Sequence, residues 1–249
     1  MITFNIQYYI DLLESSKDDP ISNLELNKFV DEIYSGSKYS RLFGQFIFCK
    51  LIFSNINYNC INTLYNKKLM EIYIPYFKDI HLIPQDKKYG KNLLEHTLLC
   101  YTSVLDISML FNIKGLNSNI FNLDYNDVLK IMYFSALLHD IGKIDDIREH
   151  CLIGYGISKE ISKYFSPFVD VIGFETIVPI IVKNHMRPFG IQRGEYWSDH
   201  AIKKFIIDCN DKTTAMLTVI LSAVDKYAST KNVIFIEPLI KLFLRIYKI

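Results

Sequence analysis

The residues of this 249-residue chain best suited to chemistry are His139 and Asp140, which end an apolar run and are followed by Gly142 and Lys143. Apolar and small residues before the pair recur at three- and four-residue steps, which predicts a helix over 125–141. His139 would lie on or beside its buried face, and Asp140 about 100° further round, so both can reach one object. Burying an imidazole and a carboxylate is costly unless something pairs with them. A divalent cation is an economical partner, and a simple hydrogen bond at the helix end is the alternative.

Four more residues with metal-ligating side chains are spread along the chain, each within or at the end of a segment whose pattern predicts a helix. They are His96 in the segment 92–99, His150 in 150–154, His185 in 182–188 and Asp225 in 222–227. Any one of them alone is commonly a core or surface residue. Imidazole and carboxylate ligands together, without thiolates, suit Mn, Fe, Co, Ni or Mg, so one or two such ions are the expected cofactors.

Taken in chain order, with a glycine after His150 and a lysine after Gly142, this set resembles the HD-domain metal-dependent phosphohydrolases over roughly residues 70–230. The resemblance implies a helical bundle in which a first metal ion is held by His96, His139, Asp140 and Asp225. It also implies a second ion, held by His150 and His185, with Asp140 placed to bridge the two.

The activity implied by this resemblance is hydrolysis of a phosphomonoester or phosphodiester by a metal-activated water molecule. The substrate would be a phosphorylated small molecule, a nucleotide or an RNA 2′,3′-cyclic phosphate end. Asp140, as the bridging ligand, and Lys143 would be the catalytic residues. Lys143 lies just past the helix end, where it can contact a phosphate. Arg187 offers a planar fork for another phosphate contact. Ile144 departs from the pattern, since relatives often carry a small or turn residue there.

A closer resemblance covers the segments 77–85 and 92–99, which look like the approach to the HD domain in bacterial tRNA nucleotidyltransferase and poly(A) polymerase-like proteins. Residues 21–75 are similar, more weakly, to the helical neck before that domain. The chain does not start with Gly-Ser followed by Asp-x-Asp, so the nucleotide-transferring head and its activity are not expected. The expected organisation is a neck-like helical extension over 1–75 and an HD-type phosphohydrolase domain over 76–249.

The predicted fold class is all-α, because no stretch has the pattern of a paired strand. Two helical patterns lie within 1–35, and further helices are predicted near 40–55, 60–74, 94–105, 146–161, 179–185, 212–228 and 234–248, with a loop over 112–124. Asp146 and Glu149 resemble a capping box, and Pro179 suits a first helical turn. Gly142 suits the left-handed position after a helix, and Gly154 would let a neighbouring helix come close.

The composition is that of an ordinary globular protein, with 50% hydrophobic residues, 22% charged residues and a net charge of +1. So small a charge argues against wholesale wrapping of nucleic acid. Five cysteines without a Cys-x-x-Cys pair indicate reduced core thiols in a cytoplasmic protein. Neither a signal peptide nor a run of about 18 apolar residues is recognisable, so no membrane partner is expected.

Two other functions fit the same residues. A minority of proteins with this ligand order are di-iron oxygenases, and they would differ by their iron content and oxygen consumption. The chain could also be a binding module that holds RNA or a nucleotide and keeps its metal for stability. Such a module predicts that chelation lowers the melting temperature while no phosphoester is cleaved.

Overall fold

The computed structural model describes residue 11 and residues 38–54, 56–85, 91–115, 123–192 and 197–249. These residues confirm the all-α fold, since their β-structure is limited to one isolated bridge between Pro84 and Asn92. The two helical patterns predicted within 1–35 lie outside the described residues, apart from residue 11. Among the described helices, none combines the length and the apolar character that crossing a membrane requires.

The chain divides into two compact units, Met1–Asp79 and Ile80–Ile249, whereas the sequence-based division was placed at 75/76. The described helices of the first unit are α1 (Lys38–Ile52), α2 (Tyr58–Asn66) and α3 (Leu69–Tyr73), followed by a 3₁₀ turn over Pro75–Lys78. One helix was predicted for 60–74, but Lys68 has a left-handed backbone (φ 61°) that separates α2 from α3. Within the unit the Phe48 and Tyr73 rings pack with centroids 5.0 Å apart.

The described residues of the second unit form α-helices and shorter 3₁₀ turns. Its α-helices are α4 (Leu93–Leu110), α5 (Tyr125–Leu138), α6 (His150–Phe165), α7 (Phe174–Asn184), α8 (Phe189–Gln192), α9 (Asp199–Asp208), α10 (Lys212–Thr230) and α11 (Glu237–Lys248). Shorter 3₁₀ turns cover Ile80–Leu82, Ile141–Ile144, Ser166–Phe168 and Val233–Ile236. Part of the loop predicted over 112–124 lies outside the described residues.

Helix α10 is the centre of this unit. Every residue from 214 to 224 is buried, as expected for a helix that is apolar or small on all sides. It contacts α4, α5, α7, α9 and α11. Asp211 is the residue type that suits the cap of such a helix, and its side chain accepts a hydrogen bond from the Thr214 backbone N–H at 2.7 Å. The helices that surround α10 can therefore hold their side chains in fixed positions relative to one another.

Two helix ends next to His139 and His150 differ from the prediction. Helix α5 ends at Leu138 rather than 141, and a 3₁₀ turn begins at Ile141. Helix α6 begins at His150 rather than near 146. The Asp146 carboxylate instead accepts hydrogen bonds from the backbone N–H groups of Arg148 and Glu149, so it stabilises the turn before the helix.

Helix α7 begins earlier than predicted. It starts at Phe174, after Gly173 in the left-handed conformation (φ 76°), and Pro179 lies inside it rather than in its first turn. A proline at this position removes one helical hydrogen bond and costs about 3 kcal/mol in an isolated helix. Burial of Phe174, Val178 and other apolar residues on the same helix offsets that cost.

Gly142 is required for close packing and not for a left-handed backbone. Among the described glycines only Gly173 has positive φ. A Cβ atom added to Gly142 would lie 2.2 Å from the backbone oxygen of His150 and 2.6 Å from the Gly154 nitrogen. At Gly154 an added Cβ would lie 3.1 Å from Val182 Cγ1 and 3.8 Å from the backbone oxygen of His139. The close approach predicted for Gly154 is therefore confirmed. Of the two residues that it approaches, Val182 lies three residues before His185, and His139 is itself a candidate ligand.

Candidate metal centre

The carboxylate of Asp140 lies between two pairs of histidines. One oxygen, Oδ2, is 3.6 Å from His96 Nε2 and 3.4 Å from His139 Nε2. The other oxygen, Oδ1, is 3.3 Å from His150 Nε2 and 3.6 Å from His185 Nε2. One side chain thus presents a separate oxygen to each pair, which divides the centre into a first half and a second half.

The first half gains a second carboxylate. Asp225 Oδ1 is 3.2 Å from His96 Nε2, and His96 Nε2 is 3.3 Å from His139 Nε2. Ligand atoms of one tetrahedral or octahedral ion with metal–ligand distances near 2.0–2.2 Å lie roughly 3 Å apart. The nitrogen and oxygen atoms of the first half are therefore spaced as the ligands of one divalent ion would be.

Backbone hydrogen bonds orient three of the four imidazoles. The Nδ1 atoms of His139, His150 and His185 lie 2.9, 2.8 and 2.7 Å from the carbonyl oxygens of Ala136, Ile147 and Val182. A carbonyl oxygen only accepts, so each Nδ1 donates its proton to a backbone carbonyl and each Nε2 faces Asp140. Metal-binding histidines are typically fixed by such outer hydrogen bonds.

Helix ends and helix faces supply these side chains. His96 lies in the first turn of α4, where Asn92 caps the helix by accepting from the Glu95 N–H. Helix α10 supplies Asp225, and its Ser222 hydroxyl donates to the backbone carbonyl of His185 at 2.5 Å. His185 thereby keeps a fixed position at the end of α7.

The centre contains a buried nitrogen atom without a hydrogen-bond partner. His185 is fully buried, and its Nε2 has no hydrogen-bond partner. Buried polar atoms are rarely left without a partner, because their desolvation then goes uncompensated. A cation between His150, His185 and Asp140 would satisfy this nitrogen, so the residues fit a bound metal ion.

The neighbouring charges of the centre lower the pKa of Asp140 and raise the pKa values of His96 and His185. Burial alone would raise the pKa of Asp140, but His139, His185 and Lys143 around it hold that pKa well below its ordinary value. Burial would lower the pKa of His96, but Cys100 and Asp225 raise it to about 10. Burial would also lower the pKa of His185, but Asp140 and Cys151 raise it to about 9. The carboxylates are thus ready to bind a cation, which must compete with protons on the histidines.

Two cysteines of the centre were missed by the sequence reasoning, which expected core thiols and a site without thiolates. Cys100 Sγ lies 3.6 Å from His96 Nε2, and Cys151 Sγ lies 3.4 Å from His150 Nε2. Each half therefore has a thiol next to its histidines. The available signal was the position of Cys100 one helical turn after His96 and of Cys151 directly after His150.

The two cationic side chains predicted to bind phosphate have different surroundings. The Lys143 ammonium is 2.5 Å from Asp140 Oδ2, so Lys143 belongs to the centre. The Arg187 guanidinium instead lies 2.9 Å from Asp208, donates to the Asn184 side chain and stacks on the Phe205 ring. The structure thus gives Arg187 contacts with α7 and α9.

The described part of the second unit is an all-α bundle with a buried centre of histidines, aspartates and cysteines that could hold a metal ion. No protein-family model matches the chain, and no curated protein is similar enough in sequence to be identified as a relative. The HD-domain relationship and its metal-ligand roles therefore stay predictions, and their support is the arrangement of the candidate ligands in the site.

Thermal stability should show the competition between metal ions and protons. Because the pKa of His185 is raised from 6.5 to about 9, its protonation stabilises the metal-free fold. This stabilisation is complete below pH 6.5 and is lost as the pH rises toward 9. A cation binds the unprotonated imidazole, so its stabilisation grows over the same interval. The difference in Tm between protein with Mn²⁺ and protein with a chelator should therefore widen as the pH increases from 6.5 toward 9. Scanning fluorimetry at stepped pH measures it, and a difference that narrows would contradict metal binding by these histidines.

Proposed function

We propose that the second unit is a metal-dependent phosphohydrolase that cleaves a phosphomonoester or a phosphodiester. The observation that carries this proposal is the position of Asp140, whose two oxygens face two separate histidine pairs. A carboxylate in that position suits a centre of two neighbouring divalent ions, which is a common arrangement in enzymes that hydrolyse phosphate esters.

The proposed ligands follow from the two halves of the centre. The first ion would be held by His96, His139, Asp140 and Asp225, and the second by His150, His185 and the other oxygen of Asp140. Bound ions of this kind would lower the pKa of a bound water molecule to about 7 and would neutralise phosphate oxygens. The protein's part is to orient the Nε2 atoms through backbone carbonyls and to keep the site buried.

Lys143 is the proposed contact for the substrate phosphate. Its side chain is 18% exposed whereas that of Asp140 is 3% exposed, so the ammonium lies on the more open side of the pair. The sequence predicted Arg187 as a second phosphate contact. Arg187 forms an ion pair with Asp208, which it would first have to break. Lys143 is therefore the stronger candidate for a residue that both binds and stabilises the phosphate.

A nucleotide or an RNA 2′,3′-cyclic phosphate end is the proposed substrate class, and the resemblance to HD-domain proteins supports it. Metal analysis of the purified full chain, followed by assays with added Mn²⁺, Ni²⁺, Co²⁺, Fe²⁺ or Mg²⁺, tests the proposal. Phosphate release should be measured from p-nitrophenyl phosphoesters, nucleotides and cyclic-phosphate RNA, together with oxygen consumption.

Cleavage of at least one ester that stops with a chelator and returns with one of these ions is the expected result. Bound iron with oxygen consumption and no phosphate release would instead identify an oxygenase. Stabilisation by metal without cleavage of any ester would identify a binding module. Either of these two results would overturn the hydrolase proposal.

Replacing Lys143 with glutamine should strengthen metal binding and weaken catalysis. The ammonium forms a charge-assisted hydrogen bond with Asp140 that an incoming ion must displace. Bonds of this kind contribute about 1.5–3 kcal/mol, so their removal should lower the Kd for Mn²⁺ about tenfold. The kcat/KM for phosphoesters should fall by about tenfold or more because the phosphate contact is lost.

Calorimetric titration with Mn²⁺ and steady-state kinetics measure the two effects. Lys159→Gln, which changes an exposed lysine of α6, is the matched control and should alter neither value. Weaker Mn²⁺ binding by Lys143→Gln would show that the lysine supports the metal ion instead of competing with it.

A further inference from the structure

The second half of the centre contains one more potential ligand than the proposed function requires. His150, Cys151 and His185 each offer a ligand atom, and these atoms lie within 4.8 Å of one another. The Asp140 Oδ1 atom lies 3.3 Å from His150 Nε2, which adds a carboxylate to the same group. Imidazole, thiol and carboxylate together form a four-ligand set of the kind that divalent zinc takes.

The position of the sulfur relative to His150 is that of a neighbouring ligand. Cys151 Sγ is 3.4 Å from His150 Nε2, the nitrogen that faces the centre, because Nδ1 of that ring is bonded to the Ile147 carbonyl. Zinc–sulfur and zinc–nitrogen bonds of about 2.3 and 2.0–2.1 Å at a tetrahedral angle place the two ligand atoms about 3.5 Å apart. The observed separation of sulfur and nitrogen therefore leaves room for one ion bonded to both.

An independent observation indicates a ligand at the same place. His185 Nε2 is buried without a hydrogen-bond partner and lies 3.6 Å from Asp140 Oδ1. The Cys151 sulfur is 3.9 Å from the other nitrogen of that ring. An ion that satisfies His185 Nε2 next to Asp140 Oδ1 would also lie close to His150 Nε2, which is 3.3 Å from that oxygen and 3.4 Å from the Cys151 sulfur.

Cys100 in the first half is placed differently. Its sulfur is 3.6 Å from Nε2 and 4.0 Å from Nδ1 of His96, so it lies alongside the imidazole ring and not beyond its Nε2 atom. The first half also has a second carboxylate, Asp225, in contact with the same histidine. Cys100 also belongs to a group with His96, His139 and Asp225 that could hold an ion, but two histidines and two carboxylates already serve the first half without it. Cys100 is therefore the comparison cysteine for Cys151.

We propose that the Cys151 thiolate is a ligand of the second ion, together with His150, His185 and Asp140. The thiol proton would pass to solvent as the metal–sulfur bond forms. A thiolate favours thiophilic divalent ions such as Zn²⁺, Co²⁺ or Cd²⁺, whereas imidazole and carboxylate alone also accept Mn²⁺. The two halves of the centre would thus differ in the ions that they prefer. This inference rests on the metal centre of the proposed function but not on its reaction.

Titration of the metal-free full chain with Cd²⁺ tests the proposal by absorbance. A sulfur-to-cadmium charge-transfer band should grow in the ultraviolet and saturate at an intensity equal to one thiolate per chain. Cys151→Ser should lose the band, whereas Cys100→Ser should keep it. Absence of the band in the unaltered protein would overturn the proposal, and so would its loss in Cys100→Ser but not in Cys151→Ser.

Alkylation gives a second measurement that needs no variant. Cys151 is the one partly exposed cysteine, since Cys49, Cys60, Cys100 and Cys209 are buried. Cd²⁺ should slow its modification by iodoacetamide at least tenfold, as followed by peptide mass mapping. Equal rates with and without Cd²⁺ would overturn the proposal. Metal-dependent phosphoester cleavage in the same preparation would then show that the proposed function stands while the sulfur ligand does not.

Discussion

Replacing Asp140 with asparagine is expected to reduce metal-dependent phosphoester hydrolysis by about a thousandfold or more, because the metal contribution amounts to several kcal/mol. Bound metal per chain should fall in the same variant. Asparagine keeps the shape of the side chain but has one oxygen and one N–H₂ group, and the latter cannot bind a cation. One half of the centre would thereby lose its Asp140 ligand and the other would lose its negative charge.

The geometry explains why no neighbouring residue should compensate for this change. Asp140 contacts histidines of both halves, whereas Asp225 contacts His96 in the first half. In the second half Asp140 is the carboxylate that faces His150 and His185. Removing the negative charge also leaves Lys143 without its partner, so an uncompensated cation would remain next to the site.

Hydrolysis assays, metal analysis and circular dichroism of Asp140→Asn together test this prediction. Asp208→Asn is the matched control, because Asp208 is a partly exposed carboxylate that pairs with Arg187. The control should keep its turnover and metal content, and both variants should keep their helix content. Full turnover in Asp140→Asn would refute the proposed role of this carboxylate.

The residues of the centre could be selected from the sequence because their types are unusual in the surroundings predicted for them. A histidine and an aspartate at the end of an apolar helix need a partner, and the pattern around His139 and Asp140 shows this without coordinates. The distances that place His96 and Asp225 beside them depend on how α4 and α10 pack. Residue types and spacing along one chain do not contain that packing.

Helix ends near the centre were predicted less well than helix interiors because tertiary contacts determine them. The pattern of α5 would allow one more helical turn, but the chain leaves the helix after Leu138. The 3₁₀ turn that carries Gly142 then packs directly on the start of α6. Interiors such as that of α10 were predictable, since a cap at Asp211 and a long apolar run are local features.

The side chains whose position was missed are those that several surroundings could accommodate. A cysteine is commonly a small core residue, so the position of Cys151 directly after His150 was too weak a signal to separate it from Cys49. The long side chain of Arg187 can reach several partners, and the choice of Asp208 depends on the position of α9. Such residues are decided by tertiary structure and not by the local pattern.

Replacing Gly142 with alanine is expected to lower the free energy of unfolding by about 3 kcal/mol or more, at the upper end of the cost of overpacking. The added Cβ would lie 2.2 Å from the backbone oxygen of His150 and 2.6 Å from the backbone nitrogen of Gly154. Backbone atoms cannot move aside as the end of a flexible side chain can. The turn and the start of α6 must therefore separate, which displaces His150 from Asp140.

Urea unfolding followed by circular dichroism measures the loss of stability, and Gly156→Ala, which lies on α6, is the matched control. A Cβ at Gly156 would meet nothing within 4 Å, and alanine is favoured over glycine inside a helix by up to about 1 kcal/mol. The control should therefore be as stable as the unaltered protein or more stable. Because the clash moves His150, any Gly142→Ala protein that folds should also bind Cd²⁺ more weakly than the control. Equal stability of the two variants would show that the turn and α6 are not in the close contact described.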